Sequence, residues 1–149
     1  MRVSHVVLVS LLSLAPAATA FAACESSQCP ASEFGSAVEA VRAEIAERCT
    51  CDPGDRSTRR PYSLCVGETI REAKKRGDLT KACAKTTRRC ALESTCGKPG
   101  AVVCCQSERG EVVASVEPEN RCERRGGTVC PGVVVAVDAC TDEGTCATP

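Results

Sequence analysis

The chain has 149 residues, 14 of them cysteine, and its 19 basic and 19 acidic side chains leave no net charge. Such a balance excludes the uniformly basic profile of a nucleic-acid binder. The one histidine is His5, so no Ser-His-Asp or Cys-His mechanism can run downstream of it.

Residues 1–22 read as a signal peptide and stand outside the fold. Arg2 supplies a short positive region, Val3 to Leu14 is mostly apolar, and small residues follow. Ala18-Thr19-Ala20 and Ala20-Phe21-Ala22 are overlapping cleavage sites. The run is too short for a membrane span of about 20 apolar residues, and no later stretch predicts a transmembrane span. Phe21-Ala22-Ala23-Cys24 also looks like a bacterial lipobox, which would anchor Cys24 to lipid. Parity favours the other reading: with Cys24 retained, the cysteines are even in number and can all pair.

Leu, Ile, Val and Phe number only 19 across residues 24–149, a fraction that on its own suggests disorder. The cysteines point the other way. They are Cys24, Cys29, Cys49, Cys51, Cys65, Cys83, Cys90, Cys96, Cys104, Cys105, Cys122, Cys130, Cys140 and Cys146. In an exported chain this is the composition of a disulfide scaffold, each bridge contributing about 2–4 kcal/mol. A metal-thiolate protein is the rival reading, but no C-x-x-C occurs and no histidine remains as a mixed ligand. No metal or other cofactor is therefore expected.

Charge is patterned along the chain. Residues 24–52 carry two basic and six acidic side chains, residues 53–98 twelve and five, and residues 99–149 four and eight. An acidic–basic–acidic order implies segments that attract one another, or a basic middle with an acidic partner.

Ser32 to Cys49 predicts a helix. Phe34, Val38, Val41, Ile45 and Cys49 form one stripe, Ser32 is a candidate N-cap, and Glu44–Arg48 is a favourable i, i+4 pair. Asp52-Pro53-Gly54-Asp55 breaks the chain. Arg60 to Arg76 predicts a second helix with Tyr62, Cys65, Val66, Thr69 and Ala73 on one face, ended by Gly77. A third, capped by Asp78 or Thr80, runs to about Leu92 with Leu79, Cys83, Thr86 and Cys90 in a stripe. The short link makes these two an antiparallel hairpin. Cys65 and Cys90 lie equidistant from its centre, which predicts a Cys65–Cys90 bridge. Cys83 and Cys90 are about 10 Å apart on one helix and cannot pair. Cys49–Cys51 and Cys104–Cys105 would be strained, so each member bonds elsewhere.

After Gly97-Lys98-Pro99-Gly100 the character changes. Ala101–Cys105 and Glu111–Val116 predict a hairpin around Ser107-Glu108-Arg109-Gly110, Gly126-Gly127 a turn, and Val133–Val137 a third strand. The expected fold is a small disulfide-rich α+β protein. A helical half (23–98: a helix plus an αα-hairpin) precedes a small antiparallel β half (99–149), as one domain or two small subdomains.

No catalytic constellation emerges. Thr95-x-x-Lys98 has a spacing that arises often by chance, and Asp142-Glu143 and Glu117-x-Glu119 read as solvated charge. The clearest functional signal is basic. Lys81, Lys85, Arg88 and Arg89 lie along helix three, with Arg71, Lys74 and Lys75 on helix two. Such a face suits an anionic polysaccharide, an anionic lipid surface or an acidic protein. It does not suit nucleic acid, since Tyr62 is its one nearby aromatic.

Cys83-Ala-Lys-Thr-Thr-Arg-Arg-Cys90, Thr95-Cys-Gly-Lys-Pro-Gly-Ala-Val-Val-Cys-Cys105 and Cys122-Glu-Arg-Arg-Gly-Gly-Thr128 resemble stretches of uncharacterised cysteine-rich exported proteins of environmental bacteria. The resemblance covers roughly residues 60–146. It implies secretion and cross-linking and brings no activity and no functional residue. The expected function is a secreted or periplasmic, disulfide-stabilised scaffold with a binding or cell-envelope role and no catalysis. The alternatives are a secreted protease inhibitor presenting a loop such as Ser107–Gly110, and a toxin or antimicrobial factor using the basic helices.

Overall fold

The computed structural model describes residues 27–137, 139–141 and 143–147. Residues 1–22, read above as a signal peptide, lie outside the described residues, as do Cys24 and Asp142. Among the described residues four helices and three strands follow in order: α1 (Ala31–Arg48), α2 (Arg59–Arg76) preceded by a 3-10 turn at Arg56–Thr58, and α3 (Lys81–Leu92). Then come β1 (Ala101–Glu108), β2 (Glu111–Pro118), α4 (Glu119–Arg124) and β3 (Thr128–Cys130). The protein is a small disulfide-rich α+β fold, as its composition and periodicity predict.

The N-cap of helix α1 lies two residues before its expected position. Pro30 is the N-cap, and its carbonyl accepts from the amides of Glu33 and Phe34 at 3.2 and 3.0 Å. Ser32 therefore sits inside the first turn. Val41, Ile45 and Cys49 of the predicted stripe are buried, while Phe34 and Val38 pack on the edge of the same core. Helix α2 buries Tyr62, Val66, Thr69, Ile70 and Ala73 and ends at Gly77, whose φ of 88° suits a residue without a side chain. Thr80 caps α3, its hydroxyl accepting from the Cys83 amide at 3.1 Å. Thr80→Ala should cost about 1 kcal/mol of stability, read as a lower denaturant midpoint with unchanged slope.

The predicted Cys65–Cys90 bridge does not form. Cys65 bonds to Cys49. Equal height along a hairpin fixes only the axial position; the direction a side chain faces decides its partner. Cys65 faces the C-terminal end of α1, where the Cys49 sulfur also lies 3.9 Å from Thr69, one turn further along α2. Cys90 is fully buried and disulfide-bonded elsewhere. Among the described residues the helical half also holds the bridges Cys29–Cys83 and Cys51–Cys96.

In the second half β1 is the central strand, in the order β2-β1-β3 with both pairings antiparallel. Its neighbouring cysteines point to opposite faces, as successive strand residues must. Cys104 bonds to Cys122 of α4, and Cys105 to Cys140. Cys130–Cys146 closes the tail. Strand pairing reaches Glu108↔Glu111, so the predicted four-residue loop shrinks to the two-residue turn Arg109-Gly110. Both residues there have positive φ, 55° and 85°, which matches the twist of a hairpin.

Val133–Val137 does not form the predicted strand. It makes an isolated bridge, Ser94↔Val135, supported by Thr95 N–H to Val134 O at 2.8 Å and Ala136 N–H to Glu93 O at 3.0 Å. Val134 packs on the helical core, and Val135 and Val137 pack around Cys90. The segment spends its hydrogen bonds on the end of α3 instead of on the sheet. Sulfur fills much of both cores: Cys29, Cys49, Cys83 and Cys96 in one, Cys105, Cys130 and Cys140 in the other.

Candidate functional site: the basic face of the helical hairpin

The α2–α3 hairpin carries all seven residues of the predicted basic face. Arg71, Lys74 and Lys75 on α2, and Lys81, Lys85, Arg88 and Arg89 on α3, are exposed. On α3 the spacing of Lys81, Lys85 and Arg88 is i, i+4, i+7, one row on the side away from the buried Cys83, Thr87 and Cys90. On α2, Gly67, Arg71 and Lys74 repeat that spacing. The two rows meet at Gly67, where a Cβ would lie 4.0 Å from Arg88 Nε. Lys75 and Arg89 each stand about 100° round their helix from the neighbouring row residue.

None of the seven forms an ion pair among the described residues. The contrast with nearby cations is sharp. Arg48 pairs with Glu44 and Glu72 at 2.7 Å each, and Arg76 pairs with Glu44 at 2.8 Å and Asp78 at 2.7 Å. The acidic α1 thus neutralises Arg76 at the end of α2 and leaves the face beyond it uncompensated. Hydrogen bonds from Arg48 and Arg76 hold the Glu44 carboxyl below its usual range, and Arg48 does the same for Glu72. These lowered carboxylates stabilise the α1–α2 contact above their unfolded pKa and stop doing so as pH falls through the folded one. The melting temperature should therefore drop modestly below about pH 4.5, and Glu44→Gln with Glu72→Gln should flatten that part of the profile.

Other predicted candidates are placed without a common site. Tyr62 is buried and donates its hydroxyl hydrogen to Ala91 O at 3.0 Å, and burial raises its pKa. It offers no stacking surface. The Thr95 hydroxyl donates to Val134 O at 3.4 Å. Glu119 opens α4 and is exposed, but Glu117 is 6 % exposed and accepts from Ser115 at 3.1 Å. Arg121 and Arg125 approach it at 3.8 and 3.6 Å, so Glu117 is a structural ion-pair centre and not solvated charge. Arg125 also pairs with Glu108.

The sulfurs of Cys105, Cys130 and Cys146 lie within 4.8 Å of one another, with Cys105 and Cys130 at 3.3 Å. Each is committed to a disulfide, and a bonded sulfur has no thiolate to give a metal. Sequence reasoning also missed an apolar cavity of about 430 Å³ between α1, Tyr62, Ala91 and Val135, rimmed by Glu39 and Arg42. Periodicity cannot reveal a space whose walls come from four separate segments.

No protein-family model matches the chain, and neither a curated protein nor a solved structure matches it. Among the described residues no helix is long and apolar enough to cross a membrane.

Proposed function

We propose that this protein is an exported, disulfide-locked binding scaffold without catalytic activity, whose α2–α3 face engages an anionic polysaccharide of the cell envelope. One observation carries the reading: seven exposed cations on a single hairpin, none ion-paired among the described residues, beside arginines that are. Cross-linking on this scale supports export, because disulfides persist in oxidising compartments.

The chemistry of the face selects among anionic partners. A lipid surface is bound by helices that also present an apolar side for insertion. Here the one exposed large hydrophobic residue among the described residues is Leu64. Protein interfaces concentrate their energy in aromatic anchors, and the face has none. A charged, hydrated polymer needs neither. The inhibitor alternative draws less support from the hairpin, since a two-residue turn presents no extended segment to an active site.

The test is retention on an immobilised anionic polysaccharide against an uncharged one. Retention should fall steeply as salt screens the contacts. At about 1 kcal/mol per surface cation, Lys81→Glu/Lys85→Glu/Arg88→Glu should weaken binding at least about 100-fold while leaving the melting temperature within a few degrees. Equal retention of the variant, or tighter binding to anionic vesicles than to the polysaccharide, would refute the proposal.

A further inference from the structure

A second, smaller cavity of about 140 Å³ lies where the turn after α3 meets the first turn of α2. Arg59 and Lys98 both line it, with Ser63, Ser94 and Tyr62, and no carboxylate belongs to its walls. Neither cation forms an ion pair among the described residues. Two like charges thus share the wall of one small cavity.

The scaffold holds them there. Gly97 packs so closely on Arg59 that a Cβ would lie 2.6 Å from its backbone nitrogen and 2.8 Å from its Cα. The Gly97 amide donates to Asp52 O at 3.0 Å, the Lys98 amide to Thr95 O at 2.9 Å, and Cys96 is bonded to Cys51. The turn cannot drift away to separate the charges. Burial, and then the charge of Arg59, lower the pKa of Lys98, while Glu93 opposes that only in part. The first turn of α2 contains no acidic residue, so the positive end of its dipole adds to the same field.

We propose that this cavity binds one tetrahedral oxyanion, phosphate or sulfate, between Arg59 and Lys98, with the Ser63 hydroxyl as a further donor. Its size agrees. It is far below the roughly 300–1,000 Å³ of a drug-sized site, yet it exceeds the share of about 30 Å³ that one water takes. Ser94 and Tyr62 form the wall, and the Tyr62 hydroxyl donates to Ala91 O at 3.0 Å. The site is separate from the exposed rows of α2 and α3, so it stands or falls independently of the polysaccharide reading.

The experiment is a titration of the intact oxidised protein with sodium phosphate and sodium sulfate, against sodium chloride at matched ionic strength. Thermal unfolding and the side-chain NMR signals of Lys98 are followed together. Phosphate and sulfate should raise the melting temperature saturably, and an anion bound beside Lys98 should raise that residue's pKa in return. Lys98→Met should weaken binding at least about tenfold, as should Arg59→Met, each removing a charge-assisted contact. The triple reversal on α3 should leave it unchanged. A stabilisation no greater than chloride gives, or one lost in the α3 variant and kept in Lys98→Met, overturns the proposal. The Lys98 signal decides the matter in the unmutated protein if a variant fails to fold: no saturable change there also overturns it.

Discussion

Complete reduction should unfold this protein at 25 °C, not merely loosen it. The apolar side chains are few: 19 Leu, Ile, Val and Phe across residues 24–149. Among the described residues, bridge closures span sequence separations from 16 to 54. Taken singly, chain entropy assigns about 3 kcal/mol to the shortest and about 4 kcal/mol to the longest. Nested loops do not add, yet the loss of only a few such terms consumes the 5–15 kcal/mol of a typical domain. Far-UV circular dichroism should show the helical signal lost on treatment with a dithiol, while the oxidised protein melts cooperatively at a far higher temperature. A reduced chain that still unfolds in a cooperative transition would show that the apolar core suffices. Single bridges should be graded. Cys29→Ser/Cys83→Ser should cost about 1 kcal/mol more than Cys49→Ser/Cys65→Ser, from loop length alone.

The bridges also mark where reading the sequence stops. Gly77 and Thr80 were legible because a helix end and a cap are decided within a few residues. The basic face was legible for the same reason: helical spacing and a short link place its rows without knowledge of the rest. Cys65 was not, because its partner depends on which way α1 crosses α2, and no local pattern encodes that. The role of Glu117 was hidden because its arginines arrive on and just after α4, a one-and-a-half-turn helix with no periodic stripe to announce it. Gly126 and Gly127 look alike in sequence and do different work. Gly126 takes φ +69° in the turn, whereas a Cβ on Gly127 would lie 2.5 Å from the Cys104 sulfur. Val133–Val137 has the composition of a strand, yet the end of α3 offers it the backbone partners that the sheet does not. The cavity at Arg59 and Lys98 was invisible in the sequence because it joins the start of one helix to the turn beyond the next.

Gly97→Ala should be among the most damaging single substitutions outside the cysteines. Two penalties combine at this position. Its φ of +63° lies in the left-handed region, which costs an L-residue about 1–2 kcal/mol. The added methyl would also overlap Arg59 Cβ and press on the Arg59 backbone, which belongs to the first turn of an 18-residue helix and cannot yield as a side-chain tip can. Overpacking of that kind adds about 1–3 kcal/mol. The sum, about 2–5 kcal/mol, should lower the melting temperature by roughly 10–20 °C for a domain of this size. Gly77→Ala supplies the control. Its φ is +88°, but nothing lies within 4 Å of the new methyl, so it should carry the backbone penalty alone. If the two variants melt together, the close approach to Arg59 contributes nothing. If Gly97→Ala melts well below Gly77→Ala, the contact between the Cys96–Lys98 turn and α2 is what fixes the two halves of the oxyanion cavity. The surviving folded protein should then also lose its stabilisation by phosphate, because the displaced turn carries Lys98 with it.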